Sequence, residues 1–140
     1  MNLNFFRGGI EYEQNKSNLL PYYGMTYNVY FQKMFRKLFL SLNSDWHDMQ
    51  MINESARRED IDVSFKVAYN ISRNLKVDAD YMYRSMQGRG LDLEVHTARL
   101  EITSTTNKFY FSVGSDVYIS KNYSNYMNYK GTYIQVSRNF

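Results

Sequence analysis

The sequence predicts an all-β, antiparallel, up-and-down architecture of about eight strands. Three observations carry that expectation. Apolar and polar residues alternate with period two along most of the chain, and a β-strand needs that period to turn alternate side chains to opposite faces. Tyr, Phe and Trp number 14, 9 and 1, or 17% of residues, while Pro occurs once; abundant aromatic residues favour strands over helices. Short polar clusters interrupt the alternating runs at intervals that suit hairpins.

The elements follow in order. The first run, roughly Asn4 to Glu13, is weakened by Gly8 and Gly9. Tyr23, Met25, Tyr27, Val29 and Phe31 share the next phase, against Gly24, Thr26, Asn28 and Tyr30. Leu38, Leu40, Leu42 and Trp46 then alternate with Ser41, Asn43, Asp45 and His47. Phe31, Met34, Phe35, Leu38, Phe39 and Leu42 also fit one face of a basic amphipathic helix, with Lys33, Arg36 and Lys37 beside it. The strand phase running through to Trp46 favours a hairpin with a basic turn instead.

Ile61, Val63, Phe65, Val67, Tyr69 and Ile71 alternate with Asp62, Ser64, Lys66, Ala68 and Asn70. Leu75, Val77, Ala79, Tyr81 and Tyr83 alternate with Lys76, Asp78, Asp80, Met82 and Arg84. In the sixth strand Leu91, Leu93 and Val95 start in one phase, and Ala98, Leu100 and Ile102 finish in the other. That switch predicts a β-bulge near His96–Thr97. Phe109, Phe111, Val113, Val117 and Ile119 form the seventh strand, and Thr132 to Asn139, ending on Phe140, the last. The eight strands are expected to be about ten residues long, enough to cross a bilayer at a tilt.

No apolar run approaches the ~18 residues of a transmembrane helix. An apolar fraction of 44% with a net charge of +3 suits a soluble β protein. It equally suits a membrane barrel, whose strands show lipid only at every second residue. Cysteine is absent, which excludes disulfides and thiolate metal sites. The only tight basic cluster, Lys33, Arg36 and Lys37, is too small for a nucleic-acid face.

No catalytic motif stands out. His47 and His96 have no neighbouring Ser or Cys in a nucleophile pattern, so no enzymatic activity, cofactor or metal is expected. Asp92, Glu94 and His96 could share a face as cation ligands, but a polar wall is the plainer reading. Asp60, Asp62, Asp78 and Asp80 are expected to pair with bases rather than hold calcium.

The C-terminal strand Gly131–Phe140, with Ile134 and Val136 in phase and an aromatic last residue, resembles the C-terminal signature of Gram-negative outer-membrane β-barrels. Arg138 departs from that pattern, standing where such termini carry an apolar residue. The resemblance implies residues 1–140 as one transmembrane β-barrel domain, or the C-terminal part of a larger barrel, located in the outer membrane. It also implies outer-membrane lipid, lipopolysaccharide and the barrel assembly machinery as partners, with Ile134, Val136 and Phe140 as the assembly signal. Arg57-Arg58 and Tyr81-Met82-Tyr83-Arg84 further resemble large barrels associated with exopolysaccharide export, implying a pore or export channel with an export partner. A complete eight-strand barrel would instead be an anchor or scaffold with functional outer loops.

With Phe140 placed at the periplasmic rim, the periplasmic connections would be Ser104–Lys108, Ser72–Asn74 and Lys33–Arg36. The outer ones would be Lys121–Asn128, Met86–Gly90, Asp48–Arg58 and Gln14–Pro21, mostly longer, as barrels of this kind arrange them. The start at Met1 lacks a signal peptide, so a mature chain or the tail of a longer precursor is expected.

In this arrangement Val63, Phe65, Val67, Val113 and Val117 face hydrocarbon, while Asp62, Lys66, Asp78, Asp80, Arg84 and Asp116 face the lumen. Asp78, Asp80 and Glu94 are expected to pair with Lys66, Arg84 or Arg99. Tyr22, Tyr23, Phe31, Trp46, Tyr81, Tyr83, Tyr118, Tyr126, Tyr129 and Phe140 are expected to form aromatic girdles. The alternative is a soluble lipocalin-like barrel, with the apolar series turned inward around a small apolar ligand.

Overall fold

The computed structural model describes residues 4–16, 21–52, 56–88, 91–106, 109–123 and 125–138. Eight strands occupy nearly all of them: β1 Asn4–Asn15, β2 Tyr22–Phe35, β3 Leu38–Met51, β4 Arg57–Asn70, β5 Leu75–Gly88, β6 Leu91–Thr105, β7 Phe109–Asn122 and β8 Asn125–Arg138. They form one antiparallel sheet in sequence order, β1 to β8. Phe31–Leu42 is strand, turn and strand rather than a helix. β1 pairs with β2 along its whole length, straight through Gly8 and Gly9. β8 pairs with β7 from Asn122↔Asn125 to Phe109↔Arg138. β1 and β8 do not pair with each other, and each has one hydrogen-bonded neighbour among the described residues.

Strands of 12 to 15 residues are longer than the expected ten, and they consume much of the intended loops. The basic turn is not Lys33–Arg36. Met34 and Phe35 stay in the ladder opposite Phe39 and Leu38, leaving Arg36 and Lys37 as a two-residue turn with Arg36 at φ 37°. At the other end of the sheet, Asn122↔Asn125 and Gly88↔Leu91 are register pairs, so two of the four connections there are also two residues long. The loop-length asymmetry therefore survives only at residues 16–21 and 52–56. We refer below to the end carrying residues 36–37, 71–74 and 106–108 as the turn end, and to the opposite end as the loop end.

No bulge interrupts β6. Its register is continuous with β5 from Leu91 to Ser104 and with β7 from Leu93 to Thr105. A change of hydrophobic phase can be produced by an extra residue or by a change of surroundings along an unbroken strand, and here it is the second. Toward the loop end, Leu93 and Val95 lie on one face with Arg99 and Glu101, while Asp92, Glu94 and His96 lie with Leu100 and Ile102.

Continuous register divides the whole sheet into two faces. One, the apolar face, carries rows such as Phe31–Leu42–Phe65–Tyr81–Ala98–Val117. Val63, Phe65, Val67, Val113 and Val117 all fall on it. The other, the polar face, carries rows such as Ser41–Lys66–Asp80–Arg99–Asp116. Among exposed large apolar residues within the described strands, only Phe5, Met34, Met82, Met127 and Tyr129 lie on the polar face.

Neither face is covered. The buried apolar residues are Ala68 and Val95, both on the polar face. The accessible surface is 10266 Å2, against roughly 7,600 Å2 for a compact folded chain of 16.7 kDa. Leu100, Val113 and Ile134 remain 51%, 48% and 75% exposed. An amphipathic sheet is ordinarily stable only when a second layer buries its apolar side, and this chain supplies no such layer among the described residues.

Gly88 closes the β5–β6 hairpin at φ +113°, a conformation that side chains with a Cβ rarely adopt. A Cβ there would also run into the Arg57 carbonyl oxygen of β4. Gly88→Ala is expected to destabilise the fold by about 1–3 kcal/mol, read as a lower urea midpoint, with faster amide exchange at Arg57–Glu59. An unchanged midpoint would mean that the backbone there is free to relax.

Candidate functional site

The polar face is the one part of the chain that concentrates chemistry. The six polar residues singled out from the sequence, Asp62, Lys66, Asp78, Asp80, Arg84 and Asp116, all lie on it. Strand register brings acids opposite bases. Arg84 Nε is 2.6 Å from Asp62 Oδ1, and Lys66 Nζ is 3.3 Å from Asp80 Oδ1, each pair formed by direct cross-strand partners. Arg58 pairs with Asp60 two residues along its own strand, at 2.9 Å.

Asp78 faces Glu101 directly across β5 and β6, an arrangement of like charges that is unfavourable by itself. Each is balanced from its own strand: Lys76 Nζ lies 2.8 Å from Asp78 Oδ1, and Arg99 Nη2 lies 2.9 Å from Glu101 Oε2. Asp78 thus pairs with Lys76 rather than with the expected Lys66, Arg84 or Arg99. Most of these charges are 38–48% exposed, so each pair contributes at most about 1 kcal/mol.

Arg99 is the best-connected cation. Besides Glu101, its Nε lies 3.7 Å from Asp116 Oδ1. Its Nη2 and Nε donate to the Tyr133 hydroxyl at 2.6 and 3.1 Å. Tyr133 reaches it by lying flat across its register partner Gly114, where a Cβ would overlap the phenol ring. Tyr129 similarly covers Gly131, its hydroxyl 2.7 Å from the position a Cβ would take. A ring over a glycine restores packing to a bare stretch of sheet and holds the phenol in one place. The sequence does not point to Tyr133, because its pairing with Gly114 depends on a register that the sequence alone does not specify.

Two further expectations fail. Glu94 lies on the apolar face and pairs with His96 Nε2 at 3.1 Å, while the Tyr81 hydroxyl meets His96 Nδ1 at 2.8 Å. The phase change in β6 without a bulge is the cause. Tyr22, Tyr118 and Tyr129 do not join an apolar-face girdle, since register puts them on the polar face. Tyr27 and Trp46, in contrast, stack on the apolar face with centroids 5.1 Å apart. No grouping of three His, Asp or Glu that could hold a metal occurs among the described residues.

The loop end closes with polar contacts on both faces. Arg57 forms a bidentate pair with Asp48 at 2.8 Å, and that hydrogen bonding raises the guanidinium pKa. The Tyr22 hydroxyl donates to Glu13 at 2.8 Å, and the bond to a carboxylate raises the phenol above its ordinary pKa. Of the expected assembly signal, Ile134 and Val136 lie exposed on the apolar face of β8, and Phe140 lies outside the described residues.

Compared with protein-family models, characterised proteins and solved structures, the chain matches none.

The Gly114–Tyr133–Arg99 arrangement makes a thermodynamic test. Gly114→Ala should cost about 1–2 kcal/mol by displacing the ring, measured by equilibrium unfolding. In a Tyr133→Ala background the same substitution should be near neutral. Equal costs in both backgrounds would show that the ring does not rest on the glycine.

Proposed function

We propose that the chain is a transmembrane β-barrel wall of the Gram-negative outer membrane, with its apolar face toward lipid and its polar face toward an aqueous lumen. The observation that carries this reading is the apolar face left without protein cover. A bilayer can supply that cover where no second protein layer does. The apolar residues from Leu38 to Trp46 on β3 span eight residue steps, about 26 Å of strand, or roughly 20 Å along the membrane normal at the tilt of such barrels, approaching their ~25 Å apolar band. Beyond that belt the same face turns polar at Asp48, Gln50, Glu59 and Gln87, as expected of strand ends standing above a membrane.

The polar face suits a hydrated channel. Its charges are paired but half exposed, and its small residues Ser112 and Gly114 are sheltered under neighbouring side chains. Unpaired outer edges of β1 and β8 favour a wall within a larger pore or export channel over a closed eight-strand anchor, because a bilayer tolerates no free sheet edge. A lipocalin-like barrel would bury the apolar series around its ligand, and the exposures of Ile134 at 75% and Leu100 at 51% argue against it.

Val67→Arg on the apolar face should cost about 2–4 kcal/mol in folding into a bilayer, while Ser64→Arg on the polar face should cost less than 1 kcal/mol. The check is urea titration in vesicles, alongside heat-modifiable migration on gels. A chain that is monodisperse and folded without detergent or lipid would sink the reading. Deleting Phe140 should impair outer-membrane assembly in cells while leaving refolding in detergent intact. Unchanged assembly would remove the terminal residue from the signal.

A further inference from the structure

Charge is distributed unevenly along the strand axis. At the turn end, the charged residues in the described connections are Arg36, Lys37 and Arg73, all basic and all exposed. Lys33 stands one row inside them on the apolar face, opposite Leu40. None of these four has an acidic partner within 4 Å among the described residues. Asp78 and Glu101, register partners on the polar face, are occupied by Lys76 and Arg99. At the loop end the apolar face is mixed instead, with Asp48, Glu59, Asp92 and Glu94 beside Arg57 and Lys121.

Two of these cations are also tethered. Lys37 Nζ donates to the Ile71 carbonyl at 3.0 Å, joining the β2–β3 and β4–β5 turns. Lys33 Nζ stands 4.6 Å from the centroid of the Phe35 ring. Phe35, Tyr69, Ile71 and Phe109, each 40–44% exposed, lie close to the turn-end margin of the apolar face. Arg36, Lys37 and Arg73 therefore lie just beyond the apolar rows, at the level a lipid phosphate occupies beside hydrocarbon, while Lys33, opposite Leu40, and Lys130, opposite Val117, stand within those rows.

From this we propose that the turn end is a docking collar for anionic phospholipid headgroups, with Arg36, Lys37 and Arg73 as its principal contacts. The proposal rests on the membrane-barrel reading and adds to it a lipid class and a leaflet. Charge complementarity selects the occupant: several exposed cations with no acid among them, next to an apolar margin, match a surface of phosphates rather than a mixed-charge protein partner. Attraction of this kind amounts to severalfold in affinity for each Lys or Arg, and it fades with salt because the groups are exposed.

The test refolds the full chain and the R36E/K37E/R73E variant into vesicles of phosphatidylcholine alone, or of phosphatidylcholine with phosphatidylglycerol. Insertion is followed by protease protection and heat-modifiable migration. The unmodified chain should insert faster where phosphatidylglycerol is present, by about tenfold or more at low salt, and high salt should erase the difference. The variant should insert into phosphatidylcholine as the unmodified chain does and show no gain from phosphatidylglycerol. R36Q/K37Q/R73Q should fall between them, which separates loss of attraction from added repulsion. Insertion of the unmodified chain at equal rates in both lipids, or a variant that keeps the anionic preference, overturns the collar and leaves the barrel reading standing.

Discussion

One constraint governs the rest of the molecule: antiparallel register runs without a break through seven consecutive strand pairings. Because side chains alternate across a pleated strand, the phase of any one strand fixes the phase of every other. Ser41, Lys66, Asp80, Arg99 and Asp116 share one face because each is the register partner of the next. The segregation of apolar from charged side chains, the ion pairs and the ring over Gly114 all follow from that single alignment. A slip of one residue at any hairpin would exchange the faces of every strand beyond it.

The energetic consequence is that stability cannot come from a core. Ala68 and Val95 are too few and too small to hold a sheet of this width, and the half-exposed ion pairs contribute little once solvent screens them. What the chain does contain is a nearly complete ladder of backbone hydrogen bonds and a broad apolar surface. Burying that surface at about 25 cal/mol per Å2 would dominate every other term. In the membrane reading the surrounding phase is therefore the larger part of the fold's free energy, and the chain's own contacts mainly decide which face meets it.

Much of this was legible in the sequence, and the exceptions have physical causes. Period-two alternation alone placed Val63 to Val67 opposite Asp62 to Lys66, and Asp78 and Asp80 opposite Val77 and Ala79. Turn positions were harder, because polar residues such as Asn122, Asn125 and Tyr126 pair in a ladder as readily as they form a loop. Composition therefore shortened strands that in fact continue. The phase change in β6 was visible, but a bulge and a change of surroundings leave the same trace in one strand. Only the unbroken pairing on both sides separates them, and Glu94 moved to the other face as a result. Tyr133 over Gly114 was invisible for a related reason: the contact links residues 19 apart, and their apposition depends on the length of the β7–β8 turn.

The strict nearest-neighbour order of the sheet makes the chain nearly one-dimensional. Each strand's backbone pairs only with those before and after it in sequence, so the sheet forms as a series of local closures rather than long crossovers. In such a series the natural unit of change is the hairpin. Inserting or removing a pair of strands leaves the facing of every remaining residue intact, while gaining or losing one strand would leave its two new neighbours running parallel across a short turn. A wall of this construction can change in circumference by even steps, from a narrow tube to a wide one, without redesigning either surface.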